Sequence, residues 1–343
     1  LAFKHAAGTG EKGSVTLAKT AILVTGVAGF IGFHVASALL ARGETVVGID
    51  IVNDYYDPEL KHARLNQIND HPAFRFVKMD VAEAEAVKDL VLEAGITRII
   101  HLAAQAGVRY SIENPFAYQR SNLQGHLSIL EACRAVEGFE HLVYASSSSV
   151  YGDRPLAGDG FSEDDRVNEP VSLYAATKRS GELMSTTYSH LYGIPQSGLR
   201  FFTVYGPWGR PDMAYFSFSE KIMKGEAIEV YGEGHMHRDF TYIDDIVEGI
   251  IGVLDHPPAG GKNEIYNIGA HQPVGLMEMI STLETALGRE ANKIMRPMQP
   301  GDVTTTYADV SKLKAVTGYA PSTPLKDGLE RFATWFKGYK GLN

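Results

Sequence analysis

From Ala21 onward, short apolar runs alternate with longer segments whose apolar residues recur at helical spacing. Residues 21–25 form a run of the first kind, stopped by Gly26, and predict a strand. Residues 30–42 place Ile31, Val35, Ala38 and Leu39 near helical spacing, and Gly43 closes the segment as a C-terminal glycine does. The alternation repeats, predicting strands over 45–49, 74–77, 98–102, 141–145 and 196–201 and helices over 83–93, 115–136 and 172–192. Strands that alternate with helices predict an α/β fold, a doubly wound parallel sheet covered by helices on both faces. Beyond Thr203 the rhythm breaks. Gly206-Pro-Trp-Gly-Arg-Pro211 is too rich in Gly and Pro for a regular element. Shorter elements follow, with helices near 217–224, 244–254, 276–287 and 325–336 and strands near 228–230 and 240–241. This second part reads as a smaller lobe, with some segments returning to the main sheet.

Composition narrows the class. Of 343 residues, 44% are hydrophobic and 21% charged, enough for a buried core and incompatible with a disordered chain or a fibre. The 32 Lys+Arg against 41 Asp+Glu leave a net charge of -9, so no general attraction to nucleic acid or an anionic membrane is expected and any basic site must be local. Cys133 stands alone, which excludes an intrachain disulfide and suits a reducing, cytoplasmic setting. No run reaches the roughly 18 apolar residues of a membrane span. Residues 1–20, rich in Gly, Lys and Ala, lack the apolar block of a secretory signal and read as a flexible extension. Among the 12 histidines only His235 and His237 have ligand-like spacing; they read as a surface turn, and no metal is expected.

Candidate chemistry begins at the first strand, which runs into Gly26-Val-Ala-Gly29-Phe30-Ile31-Gly32 and then a helix. A dinucleotide site needs glycines there, because the turn is tight and a pyrophosphate must reach backbone N–H groups at the helix N-terminus. Spacing of this kind also fits other strand-to-helix turns. Asp50, at the end of the second strand, lies about twenty residues on, where a carboxylate accepts from the adenosine ribose hydroxyls and repels a 2′-phosphate; NAD is therefore expected over NADP. Asp80 and Val81 after the third strand are placed near the adenine, and Leu102, Ala103 and Ala104 after the fourth let the cofactor lie close to the backbone. Tyr174 and Lys178 share one helical face. A phenol is a weak base near neutral pH, and an adjacent ammonium would lower its pKa. The run Ser146 to Ser149 follows the fifth strand, at the sheet edge where doubly wound folds bind ligands.

With these residues together, the chain resembles the extended short-chain dehydrogenase/reductase family, whose Ser/Thr, Tyr and Lys constellation works on tightly held NAD. The resemblance implies a Rossmann NAD-binding domain over residues 21–202 and a mainly UDP-sugar-binding lobe over 203–343. By distance to Val150-Tyr-Gly152, Ser147 matches the catalytic hydroxyl. Tyr174 then matches the base, and Lys178 the residue that holds the nicotinamide ribose and lowers the tyrosine pKa. Gln105, Asn122 and Val204 are placed along the cofactor. Dehydratases of the family carry an Asp-Glu pair before V-Y-G and decarboxylases a glutamate; here Ser148 and Ser149 stand there.

Hydride transfer without elimination is thereby implied, and the chain resembles the UDP-glucuronate 4-epimerase branch. The blocks that carry this are Gly26-Val-Ala-Gly-Phe-Ile-Gly32, Asn53-Asp-Tyr-Tyr-Asp57, His101 to Arg109, Arg200 to Met213 and Arg238 to Asp245. The resemblance implies that Arg210 pairs with the sugar carboxylate, Thr203 with a sugar hydroxyl and Arg238 with the UDP phosphates. It places Gln299 and Asp302 at the UMP ribose, and Gly107, Val108 and Arg109 beside the sugar with Ser148 and Ser149. It also implies a homodimer through the helices 115–136 and 172–192. The alternatives are a UDP-glucose or UDP-N-acetylhexosamine 4-epimerase, a decarboxylase or dehydratase, and a non-catalytic NAD-binding protein.

Overall fold

The structure is a computed structural model that describes residues 20–153, 160–298 and 304–342. Its strands are β1 (Ile22–Thr25), β2 (Val46–Asp50), β3 (Phe74–Lys78), β4 (Arg98–His101), β5 (His141–Ser147), β6 (Gln196–Phe201), β7 (Thr203–Tyr205), β8 (Ala227–Tyr231), β9 (His237–Tyr242), β10 (Asn263–Ile268), β11 (Pro273–Gly275), β12 (Asn292–Arg296) and β13 (Thr305–Thr306). The helices are α1 (Phe30–Ala41), α2 (Pro58–Asn66), α3 (Ala84–Glu93), α4 (Tyr110–Glu113), α5 (Pro115–Tyr118), α6 (Gly125–Ala135), α7 (Leu173–Tyr192), α8 (Ala214–Lys224), α9 (Ile243–Leu254), α10 (Leu276–Leu287), α11 (Ser311–Thr317) and α12 (Leu325–Lys340).

Seven strands form one parallel sheet in the order β10-β6-β5-β4-β1-β2-β3. The centre of the sheet is apolar on both sides, as a parallel sheet between helix layers requires. Ile22 and Val24 of β1 join the core that includes α1 and α9, whereas Leu23 joins the one that includes α3 and α6. All three side chains are fully buried, each contributing about 1.5–3 kcal/mol of burial. The strand β10 adds to β6 at the edge of this sheet, and α9 packs on α1, so segments from the second half of the chain complete the first. The rest of that half builds a smaller layer in which β9 pairs with β7, β11 and β13, and β8 pairs with β12.

Two elements depart from the pattern reading. Helix α2 lay in a segment without predicted structure, although Pro58 occupies its first turn and the Asp57 carboxylate accepts from the Glu59 N–H at 3.0 Å. The helix expected over 115–136 is interrupted by a π-helical turn at Gln119–Gln124. There Asn122 accepts from the Gln105 N–H (2.8 Å) and donates to the Gln105 carbonyl (3.1 Å) and the Thr177 hydroxyl (3.0 Å), so the extra residue lets one side chain tie β4's exit to α7. Among the described residues no helix is long and apolar enough to cross a membrane, and no cluster of three metal-ligating side chains exists. Residues 1–19 lie outside the described residues.

Candidate active site

A cavity of about 620 Å³ opens along the C-terminal ends of the sheet strands. Its cofactor end is built by the turn from β1 into α1. Gly26 has φ +70°, and a side chain there would stand 2.8 Å from the Ala103 nitrogen. A Cβ on Gly32 would fall 2.1 Å from the Gly26 carbonyl oxygen, so both glycines let backbone pack on backbone. Gly26, Gly29, Phe30, Ile31 and Gly32 all line the cavity. The Asp50 carboxylate, at the end of β2, accepts from the N–H groups of Ala28 (3.1 Å) and Val52 (2.8 Å). Asp80, Val81, Leu102, Ala103, Ala104, Gln105 and Val204 line the same wall. A glycine-rich turn under a helix N-terminus, with a carboxylate fixed at the next strand end, fits a dinucleotide.

Lys61 joins this end unannounced by the sequence pattern. Its ammonium is buried, holds the Asn53 carbonyl at 2.7 Å, and burial lowers its pKa, against which Asp50 pulls upward. Asn122 does not line the cavity; it acts from behind, through Gln105. Arg109 does not line it either, and its guanidinium lies over the Tyr231 ring, 5.2 Å from the centroid. Gly107 and Val108 do line it. Gln299 and Asp302 lie outside the described residues.

The chemical end is formed by the exit of β5 and the start of α7. Ser172 caps α7 by accepting from the Ala175 N–H at 3.1 Å, which sets where Tyr174 and Lys178 emerge. A buried carboxylate ties α7 to both strands: Glu182 accepts from Arg200 on β6 (2.8 and 2.9 Å) and from the Ser146 hydroxyl on β5 at 2.6 Å. Burial pushes the Glu182 carboxyl up, and its bonds to Arg200, Ser146 and Arg179 outweigh this and leave it below its ordinary value. Ser147 accepts from the Ser149 hydroxyl at 2.9 Å.

Tyr174 is raised above the ordinary phenol value by burial, while a hydrogen bond with Ser147 and the field of Arg210 pull it down. Lys178 points its ammonium at the Ala145 carbonyl (2.9 Å), 6.0 Å from the Tyr174 ring centre, and burial lowers its pKa to about 8. The lowering of Tyr174 by Lys178 expected from the sequence is thus not what these side chains do alone; Ser147 and Arg210 supply the downward pull.

Thr203, Ser148, Ser149, Arg210 and Arg238 complete the lining. Arg210 is 24% exposed and grips Asp212 with its Nε (3.0 Å) and one Nη2 hydrogen, and Asp212 also accepts from the Tyr55 hydroxyl at 3.1 Å. That uses the Nε/Nη2 edge of the guanidinium and leaves the Nη1/Nη2 edge for a second carboxylate. Asp212 and Tyr55 had no role in the sequence reading, although both lie in blocks that carried the resemblance.

The model of the NAD dependent epimerase/dehydratase family matches residues 22–269, which spans the glycine turn, the serine run and the Tyr174–Lys178 helix. The chain belongs to this family. A UDP-glucuronate 4-epimerase of Arabidopsis thaliana is 46% identical over 332 residues, covering 93% of this chain and 76% of the relative. A solved UDP-glucuronic acid 4-epimerase of Bacillus cereus, in complex with UDP-glucuronic acid and NAD, is 35% identical with a TM-score of 0.86, covering 93% of this chain and 99% of that one. The UDP-glucose 4-epimerase of Thermotoga maritima is similar at 27% identity and a TM-score of 0.83, over 93% of this chain and 99% of that one. The chain is an NAD-dependent 4-epimerase with the doubly wound fold of these relatives.

Proposed function

We propose that the substrate is UDP-glucuronate, inverted at C4 to UDP-galacturonate, with Tyr174 as base. The observation that carries the acid-sugar reading is the Arg210 guanidinium on the cavity wall, bonded to Asp212 through Nε and Nη2 and acting by its charge on Tyr174. A planar fork matches a carboxylate with two parallel hydrogen bonds, which a neutral hydroxymethyl group cannot form. Similarity to the Arabidopsis and Bacillus enzymes supports the same reading.

Bound NAD supplies a hydride acceptor that returns the hydride within the same turnover. The protein's own part is proton and ligand handling. Tyr174 takes the proton of the sugar 4-hydroxyl, directly or through Ser147, and gives it back after the ring has turned over. Lys178 holds the nicotinamide ribose, Arg238 the UDP phosphates and Thr203 a sugar hydroxyl. Oxidation at C4 makes a ketone β to the C6 carboxylate, which loses carbon dioxide when the C5–C6 bond aligns with the carbonyl π system. Arg210, Ser148 and Ser149 hold the carboxylate and keep that bond out of alignment. Product analysis decides the matter. Incubation with UDP-glucuronate is expected to give UDP-galacturonate without free carbon dioxide; a dominant UDP-pentose product, or turnover of UDP-glucose alone, overturns the assignment.

The same reading includes a homodimer. Helices α4 to α7 expose Ile112 (69%), Phe116 (80%), Leu127, Leu183 and Leu191, large apolar side chains that a partner surface would bury. Two copies paired through these helices would cover it. Sedimentation velocity is expected to show a dimer that Phe116→Glu with Leu183→Glu converts to monomer; a dimer that survives both changes places the contact elsewhere.

A further inference from the structure

Arg64 is among the largest side chains with no exposed surface, and no motif points to it. It stands on α2 with all five donors used. Nε and one Nη2 hydrogen go to the Trp208 carbonyl (3.0 and 2.7 Å), the other Nη2 hydrogen to the Gly209 carbonyl (3.0 Å), and Nη1 to the Ala28 carbonyl (2.9 Å) and the Tyr56 hydroxyl (2.7 Å). Every one of these acceptors is a neutral oxygen. Ala28 belongs to the glycine turn that receives the dinucleotide; Trp208 and Gly209 lead directly into Arg210. One rigid fork therefore spans the two halves of the site.

The loop it grips needs holding. Trp208 has φ +60°, a left-handed conformation costly for a bulky residue. Gly209 has no room for a side chain, since a Cβ would stand 1.9 Å from the Tyr215 hydroxyl. His34 on α1 adds a second tie from the cofactor side, through its Nε2 to the Pro207 carbonyl at 3.0 Å. Among the described residues, the side-chain hydrogen bonds to the Pro207, Trp208 and Gly209 carbonyls thus come from α1 and α2, and those from Arg64 converge with its bond to the glycine turn.

We propose that Arg64 is a positioning residue that fixes the Arg210 guanidinium relative to the dinucleotide turn, so that a sugar carboxylate is read at a set offset from the bound cofactor. This rests on the acid-sugar reading above. A lysine carries the same charge but not the planar fork, and cannot serve three carbonyls on two segments in one geometry. The residue is thereby a determinant of sugar specificity that touches no substrate. Its buried charge also faces a turn built for a pyrophosphate, so it raises dinucleotide affinity.

A double-mutant cycle tests this. Arg64→Lys is expected to raise KM for UDP-glucuronate about tenfold and KM for UDP-glucose less than about twofold, and in an Arg210→Ala background to change the UDP-glucuronate KM by less than about twofold. NAD affinity by calorimetry should remain within about threefold for Arg64→Lys and fall further for Arg64→Met. An equal penalty with and without Arg210, or on both sugars, overturns the inference while leaving the function in place. A wild type that does not turn over UDP-glucuronate overturns both. Should Arg64→Lys not fold, His34→Ala loosens the same loop without stranding a buried cation; it is expected to raise the UDP-glucuronate KM about threefold, and again only where Arg210 is present.

Discussion

Replacing Tyr174 by Phe is expected to lower kcat by about 10³-fold or more, with NAD affinity and thermal stability little changed. The hydroxyl oxygen is the only heavy atom lost. The ring itself packs edge-on against Tyr118, centroids 6.1 Å apart, and Phe preserves that contact. The cap at Ser172 and the Glu182–Arg200 lock that orient α7 do not involve the phenol. Because burial holds the phenol above its ordinary value and Ser147 is one of two groups pulling it down, Ser147→Ala should move the acidic limb of the pH–rate profile, where the base becomes protonated, upward. Steady-state kinetics with either sugar epimer and calorimetric NAD binding measure the outcome. Turnover within tenfold of wild type in Tyr174→Phe would remove this residue as the base.

What could be read from the chain and what could not have physical causes. The glycine turn, Asp50 and the Tyr174–Lys178 pair were legible because each obeys a local rule: a φ or contact only glycine meets, a strand end, a helical repeat of four. The helix expected from residue 172 begins at Leu173, with Ser172 as its cap. The strand–helix alternation likewise predicted the parallel sheet, since strands buried on both faces must be apolar throughout. The members of the site that went unseen act through long-range contact. Arg64 is 144 residues from Trp208 and bonds to its carbonyl, and Tyr55 reaches Asp212 across 157 positions. Neither pairing leaves a periodic trace. Asn122 was expected along the cofactor, and instead the π-helical turn aims it at Gln105 and Thr177; an added residue in a helix is invisible to a search for a fixed period. Arg109 sits in a resemblance block yet stacks on Tyr231, because a block of sequence does not say which way each side chain turns.

Acid should unfold this protein over a window set by buried imidazoles. His141 on β5 is fully buried between the Leu254 carbonyl (3.1 Å) and the Ser197 hydroxyl (2.9 Å), with Arg98 and Asp255 nearby; burial lowers its pKa to about 4. His126 on α6 bonds to the Ser185 hydroxyl at 2.8 Å beside His101, and burial together with the charge of Lys178 lowers it to about 3. His101 is depressed by burial, His126 and Lys178 in the same direction. A lowered imidazole is neutral in the folded chain and protonated in the unfolded one at any pH between the two values. The unfolded state therefore binds more protons there, and stability that is complete above about 6.5 is lost as pH falls. From His126 and His141 alone the loss by pH 4 is on the order of 6 kcal/mol, a large share of a typical domain's stability. Glu182 and Asp212, whose values are lowered, stay charged in both states above about pH 5, whereas Glu163, Asp239 and Asp244, raised by burial, take up protons first in the folded chain and oppose the histidines. Urea unfolding at pH 6.5, 5.5 and 5.0 should show stability falling progressively, each imidazole held neutral adding up to about 1.4 kcal/mol per pH unit, and His141→Gln, which retains a hydrogen-bonding amide, should reduce that slope by about one proton's worth. A slope near zero between pH 6.5 and 5 would show that these imidazoles are not held neutral in the fold.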